Sequence, residues 1–442
     1  MPPTKITLDR EHRRVVLAAM VGTTIEWYDF FIYAISAGLV FATQFFGGAG
    51  KNALLVSFAT IGISFFFRPL GAVIAGHLGD RIGRRAMLIF TLLLMGVSTA
   101  LMGLVPSSDA IGVGAPILLV LLRIMQGLSA GGEWGGAALL AVEHAPADRR
   151  GLYGAFPQIG VPIGLLLANG VLAATAAITG PDRFLAWGWR IPFLLSVVLI
   201  VFGMYIRTRV AESPVFEEVK KTRTQSNVPL VPLFKHHWAL VIVGALLFAA
   251  NNAVGYMTTG GYIQSYAVKT LHLDRTTVLA AVMISAVGWL VSTLLGGWLA
   301  DRYGRLPVYR IGFVVQLAWM FPFFALINTA NLALVIVALI LFTVGLGLTY
   351  GPQPALYAEM YPTRVRYSGA AISYAIGAIL GGAFAPTIAE ALQTRTGTVY
   401  AVAVYLATVT LIGLIATFLV KDHPGTPLTE PLTPKPLAED RP

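Results

Sequence analysis

Gly76-His77-Leu78-Gly79-Asp80-Arg81-Ile82-Gly83-Arg84-Arg85 is a glycine-punctuated charge cluster set between two long apolar runs. The chain repeats it as Gly297-Trp298-Leu299-Ala300-Asp301-Arg302-Tyr303-Gly304-Arg305. Asp80 and Asp301 are 221 residues apart, half of the 442-residue chain, so each D-R-x-G-R falls at the same place in its half. A second pair obeys the same rule: Glu143-x6-Arg150 with Pro146 between, and Glu359-x6-Arg366 with Pro362 between. Two charge patterns repeated at matching positions point to a duplicated architecture. An ordinary excess of basic residues at membrane borders gives no reason for the acids to repeat. The acids and arginines have the reach to pair across helix ends, and the glycines permit tight turns. Asp80, Arg81, Arg84, Glu143, Arg150, Asp301, Arg302, Arg305, Glu359 and Arg366 are therefore expected to form a gate.

The apolar runs say what is duplicated. Hydrophobic residues make up 56% of the chain and charged residues 12%, about half the charge of a soluble domain. A membrane-crossing helix needs about 20 mostly apolar residues. Twelve runs meet that need, at roughly 15–41, 53–77, 86–106, 114–140, 152–178, 186–206, 237–267, 276–299, 308–328, 331–357, 367–392 and 398–420. The expected fold is an all-α membrane protein of two pseudo-symmetric six-helix bundles, 1–206 and 237–420. A cytoplasmic linker spans 207–236, and 421–442 is a Pro- and Thr-rich tail expected to be disordered.

Basic residues set the orientation. With the N-terminus inside, the cytoplasmic segments hold 23 Lys and Arg and the outer loops 5, so both termini are expected in the cytoplasm. The setting is a plasma (inner) membrane, and the protein is expected to work as a monomer. A net charge of +10 spread over many short loops does not form a nucleic-acid stripe. No cysteine is present, and the seven histidines sit in or beside Gly-, Pro- or charge-rich segments, so no metal or other cofactor is expected.

Two halves of six spans with repeated loop signatures resemble the major facilitator superfamily. Glu26-Trp27-Tyr28-Asp29-Phe30, Arg68-Pro69-Leu70-Gly71, Gly131-Gly132-Glu133-Trp134-Gly135-Gly136 and Trp189-Arg190-Ile191-Pro192-Phe193 narrow the resemblance to the metabolite:proton symporters. Gly132–Ala138, with Trp187-Gly188-Trp189-Arg190, is similar to the shikimate-permease branch. The resemblance implies a substrate site near the midplane between the halves.

A charge near the bilayer centre costs at least about 2.5–3.5 kcal/mol, so each one there is kept for a partner or a task. Glu26, Asp29 and Tyr33 share one face of the first span. Two carboxyls so close in low dielectric favour one of them keeping a proton. Arg123, Gln126 and Glu133 share a face of the fourth span, and the R-x-x-Q-G pattern resembles a superfamily motif associated with proton transfer. Asp29 and Arg123 lie at similar depth, which makes them an expected pair. Glu26, Asp29, Arg123 and Glu133 are thus the candidate proton-coupling residues. Arg68, beside Pro69 and Gly71 where a broken or kinked backbone can line a cavity, suits a substrate carboxylate. Arg123, Tyr33, Gln126, Gln158, Arg190, Asn251, Asn252, Tyr256, Tyr350 and Gln353 complete the candidate substrate-binding set.

The reading is a symporter that imports a small organic anion, shikimate-like or dicarboxylic, with protons. A proline or betaine symporter is the alternative, although the tail lacks a heptad-patterned coiled coil. Drug antiport has only the partial Gly160-x-Pro162-x-Gly164 in its favour, and sugar uptake only Glu212-Ser213-Pro214. An enzyme is not expected, because the chain shows no paired metal ligands, nucleophile elbow or phosphate-cradling loop.

Overall fold

The computed structural model describes residues 10–208, 230–259 and 262–428. Among them every regular element is helical. Eleven helices are long and apolar enough to cross a membrane, and a shorter apolar helix, Tyr400–Ala416, completes a set of twelve. In chain order they are α1 (Arg10–Ser36), α2 (Ala53–Ile82), α3 (Arg84–Met102), α4 (Gly114–Glu143), α5 (Arg150–Thr179) and α6 (Arg190–Arg207). The second six are α7 (Trp238–Thr259), α8 (Arg275–Tyr303), α9 (Arg305–Ile327), α10 (Leu332–Tyr350), α11 (Arg366–Ala378) and α12 (Tyr400–Ala416). Helices are what such a sequence must form, because hydrocarbon offers no partner to an unpaired backbone group.

Two spans are assembled from pieces: Gln353–Met360 follows α10 past Gly351-Pro352, and Ala385–Thr396 follows α11 after a π-helical turn. Tyr262–Lys269 continues the span of α7, with residues 260–261 outside those described. α2 is one continuous helix through Pro69, so of the broken or kinked backbone expected there the break is not formed.

The duplication recurs in the packing. In the first half α1 lies on α5, α2 on α4, and α3 on α4 and α6. In the second, α7 lies on α11, α8 on α10, and α9 on α10 and α12. The halves then meet along α2/α11 and α5/α8, with α4 also against α11. The glycine of each D-R-x-G-R begins a new helix at positive φ, 109° for Gly83 and 97° for Gly304. A side chain is strained in that region, so each sharp turn between spans requires glycine.

Two boundaries differ from the sequence reading. Residues 421–428 are not a disordered tail but a strap. Asp422 Oδ2 accepts the Leu306 N–H at 3.0 Å, Gly425 N–H donates to Glu359 Oε1 at 3.3 Å, and the Leu428 carbonyl accepts Thr363 Oγ1 at 2.6 Å. Arg207, assigned to the linker, is the buried last residue of α6. Most of the linker, including Glu212-Ser213-Pro214, and residues 429–442 lie outside the described residues.

Candidate functional site

The repeated signatures come together on one face of the bundle, the basic face. Their pairing runs between the halves as well as within the second one. Arg150 meets Glu359 at 3.2 Å, and Arg366 stands 3.8 Å from Glu143, so each E-x6-R engages the other. Asp301 Oδ1 and Oδ2 accept the Gly151 and Leu152 N–H groups at 2.7 and 2.8 Å, capping α5 from the opposite half. A carboxylate there offsets the partial positive charge of a helix N-terminus. Arg305 grips Glu359 with two nitrogens, at 3.0 and 3.1 Å, and Asp301 at 3.0 Å. The strap adds its Thr426 carbonyl to Arg150 at 2.6 Å. Arg302 is exposed over the Trp298 ring, outside this network, and Arg81 is exposed at the end of α2. The side chains of Asp80 and Arg84 lie outside those described.

Deep in the first half stand two guanidiniums. Arg68 and Arg123 are 3% and 1% exposed, and among the described residues neither has a carboxylate within ion-pair distance. Arg68 lies over the rings of Phe65, Phe30 and Trp27, at 4.6, 5.7 and 5.8 Å. Arg123 sits 4.0 Å from the Tyr33 ring and donates to Gln126 Oε1 at 2.7 Å. Gln126 is fixed in turn by Thr99 Oγ1 at 2.6 Å, and Tyr33 by Thr60 Oγ1 at 2.6 Å. Ring faces attract cations without neutralising them. Among the described residues no anion forms an ion pair with either.

The acids do not supply that anion. Asp29 turns to α6, where its Oδ1 accepts Ser196 Oγ at 2.6 Å, so the expected pair with Arg123 is not formed. Among the described residues, Asp29 Oδ2 and Glu26 Oε2 are buried with no hydrogen-bond partner. Glu133 is committed elsewhere: it pairs with Arg207 and accepts Thr91 Oγ1 at 2.6 Å. Arg207 also reaches the Leu88 carbonyl. Gly22 makes room for it, since a Cβ there would overlap the guanidinium.

Between the halves lies a cavity lined by Trp27 and Val161 from the first and by Phe248, Asn251, Asn252, Tyr256, Trp289, Leu346, Tyr350 and Tyr374 from the second. Its free volume is about 20 Å³, room for one water at most. The Tyr256 ring closes against Phe65, Phe30 and Trp27 at 5.6, 6.2 and 6.5 Å, the same rings that hold Arg68. Among the described residues, the Tyr256 hydroxyl and Trp289 Nε1–H are buried without a hydrogen-bond partner. Asn251 Oδ1 accepts Thr349 Oγ1 at 2.6 Å, and Asn252 Nδ2 donates to the Ala378 carbonyl at 3.3 Å. Gln353 is buried in the segment after α10. Arg190 takes no part: it donates to the Gly103 and Val105 carbonyls at 2.8 and 2.7 Å, tying α6 to the end of α3.

The sequence profile of the Major Facilitator Superfamily matches residues 19–379. The chain belongs to the major facilitator superfamily. It is similar to the inner membrane metabolite transport protein YhjE of Escherichia coli K12, 42% identical over 96% of this chain and 99% of that protein. It is 38% identical to the shikimate transporter of the same strain, over 93% and 94%. It is 33% identical to the glycine betaine/proline/ectoine/pipecolic acid transporter OusA of Dickeya dadantii, over 95% and 85%. The proton:xylose symporter XylE bound to 6-bromo-6-deoxy-D-glucose shares the fold, with a TM-score of 0.77, 20% identity and coverage of 95% and 98%.

In this major facilitator transporter the sequence reading missed three kinds of residue. Trp289 and Tyr374 are not among the residues the sequence singles out, yet both line the cavity. Each is an aromatic with a polar atom in the middle of an apolar span, the one signal that marks them. Arg207 was counted as a linker charge, and its signal is a guanidinium ending a span in register with Glu133.

Proposed function

We propose that the protein is a proton-coupled symporter that imports a small organic anion by alternating access, with its basic face toward the cytoplasm of a cell with an inner membrane. One observation carries the reading: Arg68 and Arg123 are buried together without a carboxylate. Two uncompensated cations at membrane depth are costly, and a substrate carboxylate relieves that cost while taking up the fork geometry of a guanidinium. Relatives named as metabolite and shikimate transporters support the same class. Substrate hydroxyls would meet the Tyr256 hydroxyl and Trp289 Nε1–H once the cavity opens.

Glu26 and Asp29 carry the proton, each with a buried oxygen that no donor satisfies. Neutralising Glu26 removes its electrostatic attraction for Arg68, which leaves that guanidinium to the substrate. Proton and anion then favour each other's binding, as linkage requires. Release toward the cytoplasm follows when the inter-half pairs on the basic face part.

A betaine or proline carrier is the second reading, favoured by the resemblance to OusA. An ammonium needs free aromatic faces, and here the Trp27, Phe30 and Phe65 rings already face Arg68. The test is uptake into proteoliposomes made acidic outside, with shikimate, succinate and betaine side by side. Accumulation of a carboxylate and not of betaine supports the anion reading, and the reverse order overturns it.

A further inference from the structure

We propose that Trp134 is a gating residue: its indole, stacked on Tyr374, seals the cavity from the basic face and must leave that ring before substrate exits there. The proposal rests on the alternating-access reading but not on the identity of the substrate.

Trp134 is the first of three stacked rings that run from one half of the protein into the other. It lies 4.0 Å from Tyr374 with 7° between planes, and Tyr374 lies 3.9 Å from Phe248 at 18°. Its edge meets Tyr357 at 5.5 Å and 77°. Tyr374 and Phe248 line the cavity, whereas Trp134, 1% exposed, backs Tyr374 from behind. Along α4 it stands nine residues from Glu143 at the gate and eleven from Arg123, about 13 and 16 Å at helical rise. The ring is therefore placed between the cavity and the charged latch.

Its orientation is set from its own half. The indole Nε1–H donates to Gln158 Oε1 at 2.7 Å, and Gln158 Nε2 donates to the Tyr350 carbonyl at 3.1 Å. The glycines around it have a role as well. A Cβ on Gly135 would crowd Ala371 at 2.9 Å, and the Tyr367 hydroxyl donates to the Gly132 carbonyl at 2.8 Å. Gly135 and Gly136 thus strip the α4 face so that α11 closes onto it with one large ring left between them, while Gly131 and Gly132 give α2 the same close approach. A stacked face carries no directional bond, so it parts by sliding, as a repeated opening requires.

The chain has no cysteine, so a single introduced thiol reports access unambiguously. Val161 lines the cavity, and Val161→Cys nearly keeps its volume. The experiment labels this variant with a membrane-impermeant maleimide in vesicles of each orientation, alone and combined with Trp134→Ala or Trp134→Phe. Trp134→Ala is expected to raise labelling from the basic face at least about fivefold, with labelling from the other face unchanged, as loss of a stacked pair implies. Trp134→Phe keeps a ring and loses the bond to Gln158, and is expected to stay within about twofold of the parent. Unchanged labelling of the Ala variant from the basic face overturns the proposal. An equal rise for Ala and Phe also overturns it, as does a rise from both faces alike, which marks a loosened bundle. Labelling needs neither substrate nor proton, so a wrong substrate class leaves the result interpretable.

Discussion

Arg150 and Glu359 lie on opposite halves of the chain, and their buried side chains meet at 3.2 Å. The repeated E-x6-R exchanges partners across the pseudo-symmetry axis, while Arg305 ties Glu359 to Asp301 within the second half. Glu359→Gln leaves Arg150 and Arg305 buried without their shared carboxylate. Removing one partner of a buried pair costs about 3–5 kcal/mol, and here the loss falls on the state with the basic face closed. Turnover is expected to drop at least about tenfold with substrate Kd within threefold, since 1.4 kcal/mol is already a factor of ten. Exchange rates and equilibrium binding measured on the same preparation check this. A large loss of affinity at normal turnover would show that the cluster is not a latch.

The strap gives a second test. Gly425 has φ of 78°, and its N–H donates to Glu359. Gly425→Val strains that turn by roughly 1–3 kcal/mol without touching a membrane-spanning helix. The closed basic face should lose stability, and substrate counterflow should change by a factor of about 3 or more while binding holds. Counterflow identical to the parent would show that the strap only lies on the gate.

How much of this was legible beforehand depends on the distance over which each signal acts. The charge repeats, the glycine turns at Gly83 and Gly304 and the twelve spans are local patterns, and they read correctly. The partner of Glu143 is Arg366 because the halves meet in one particular rotation, which no local pattern contains. Asp29 and Arg123 were matched by depth, but depth does not fix azimuth, and α1 turns Asp29 toward Ser196. Arg207 was misread because a charge at the end of a span looks the same whether it faces water or Glu133.

Glu133 and Arg207 form a structural pair in the closed state. Glu133→Gln alone should lower the melting temperature in detergent by several degrees, as an uncompensated buried guanidinium implies. The double variant Glu133→Gln with Arg207→Met should recover most of that loss. If it also retains acid-driven uptake, Glu133 is not the proton carrier.

Asp29→Asn mimics the protonated acid and keeps an acceptor for Ser196 Oγ. It is expected to exchange substrate across the membrane yet fail to accumulate it when the outside is made acidic. Accumulation equal to the parent would move the proton to Glu26.

The central claim is that Arg68 and Arg123 hold a substrate carboxylate. Its most direct measurement is equilibrium binding of the transported carboxylate to detergent-purified Arg68→Ala and Arg68→Lys. Arg68→Ala is expected to weaken binding at least about tenfold, because a charge-assisted contact of about 1.5–3 kcal/mol is lost together with its bidentate geometry. Arg68→Lys should recover part of it. Unchanged affinity in a folded Arg68→Ala protein would contradict the account.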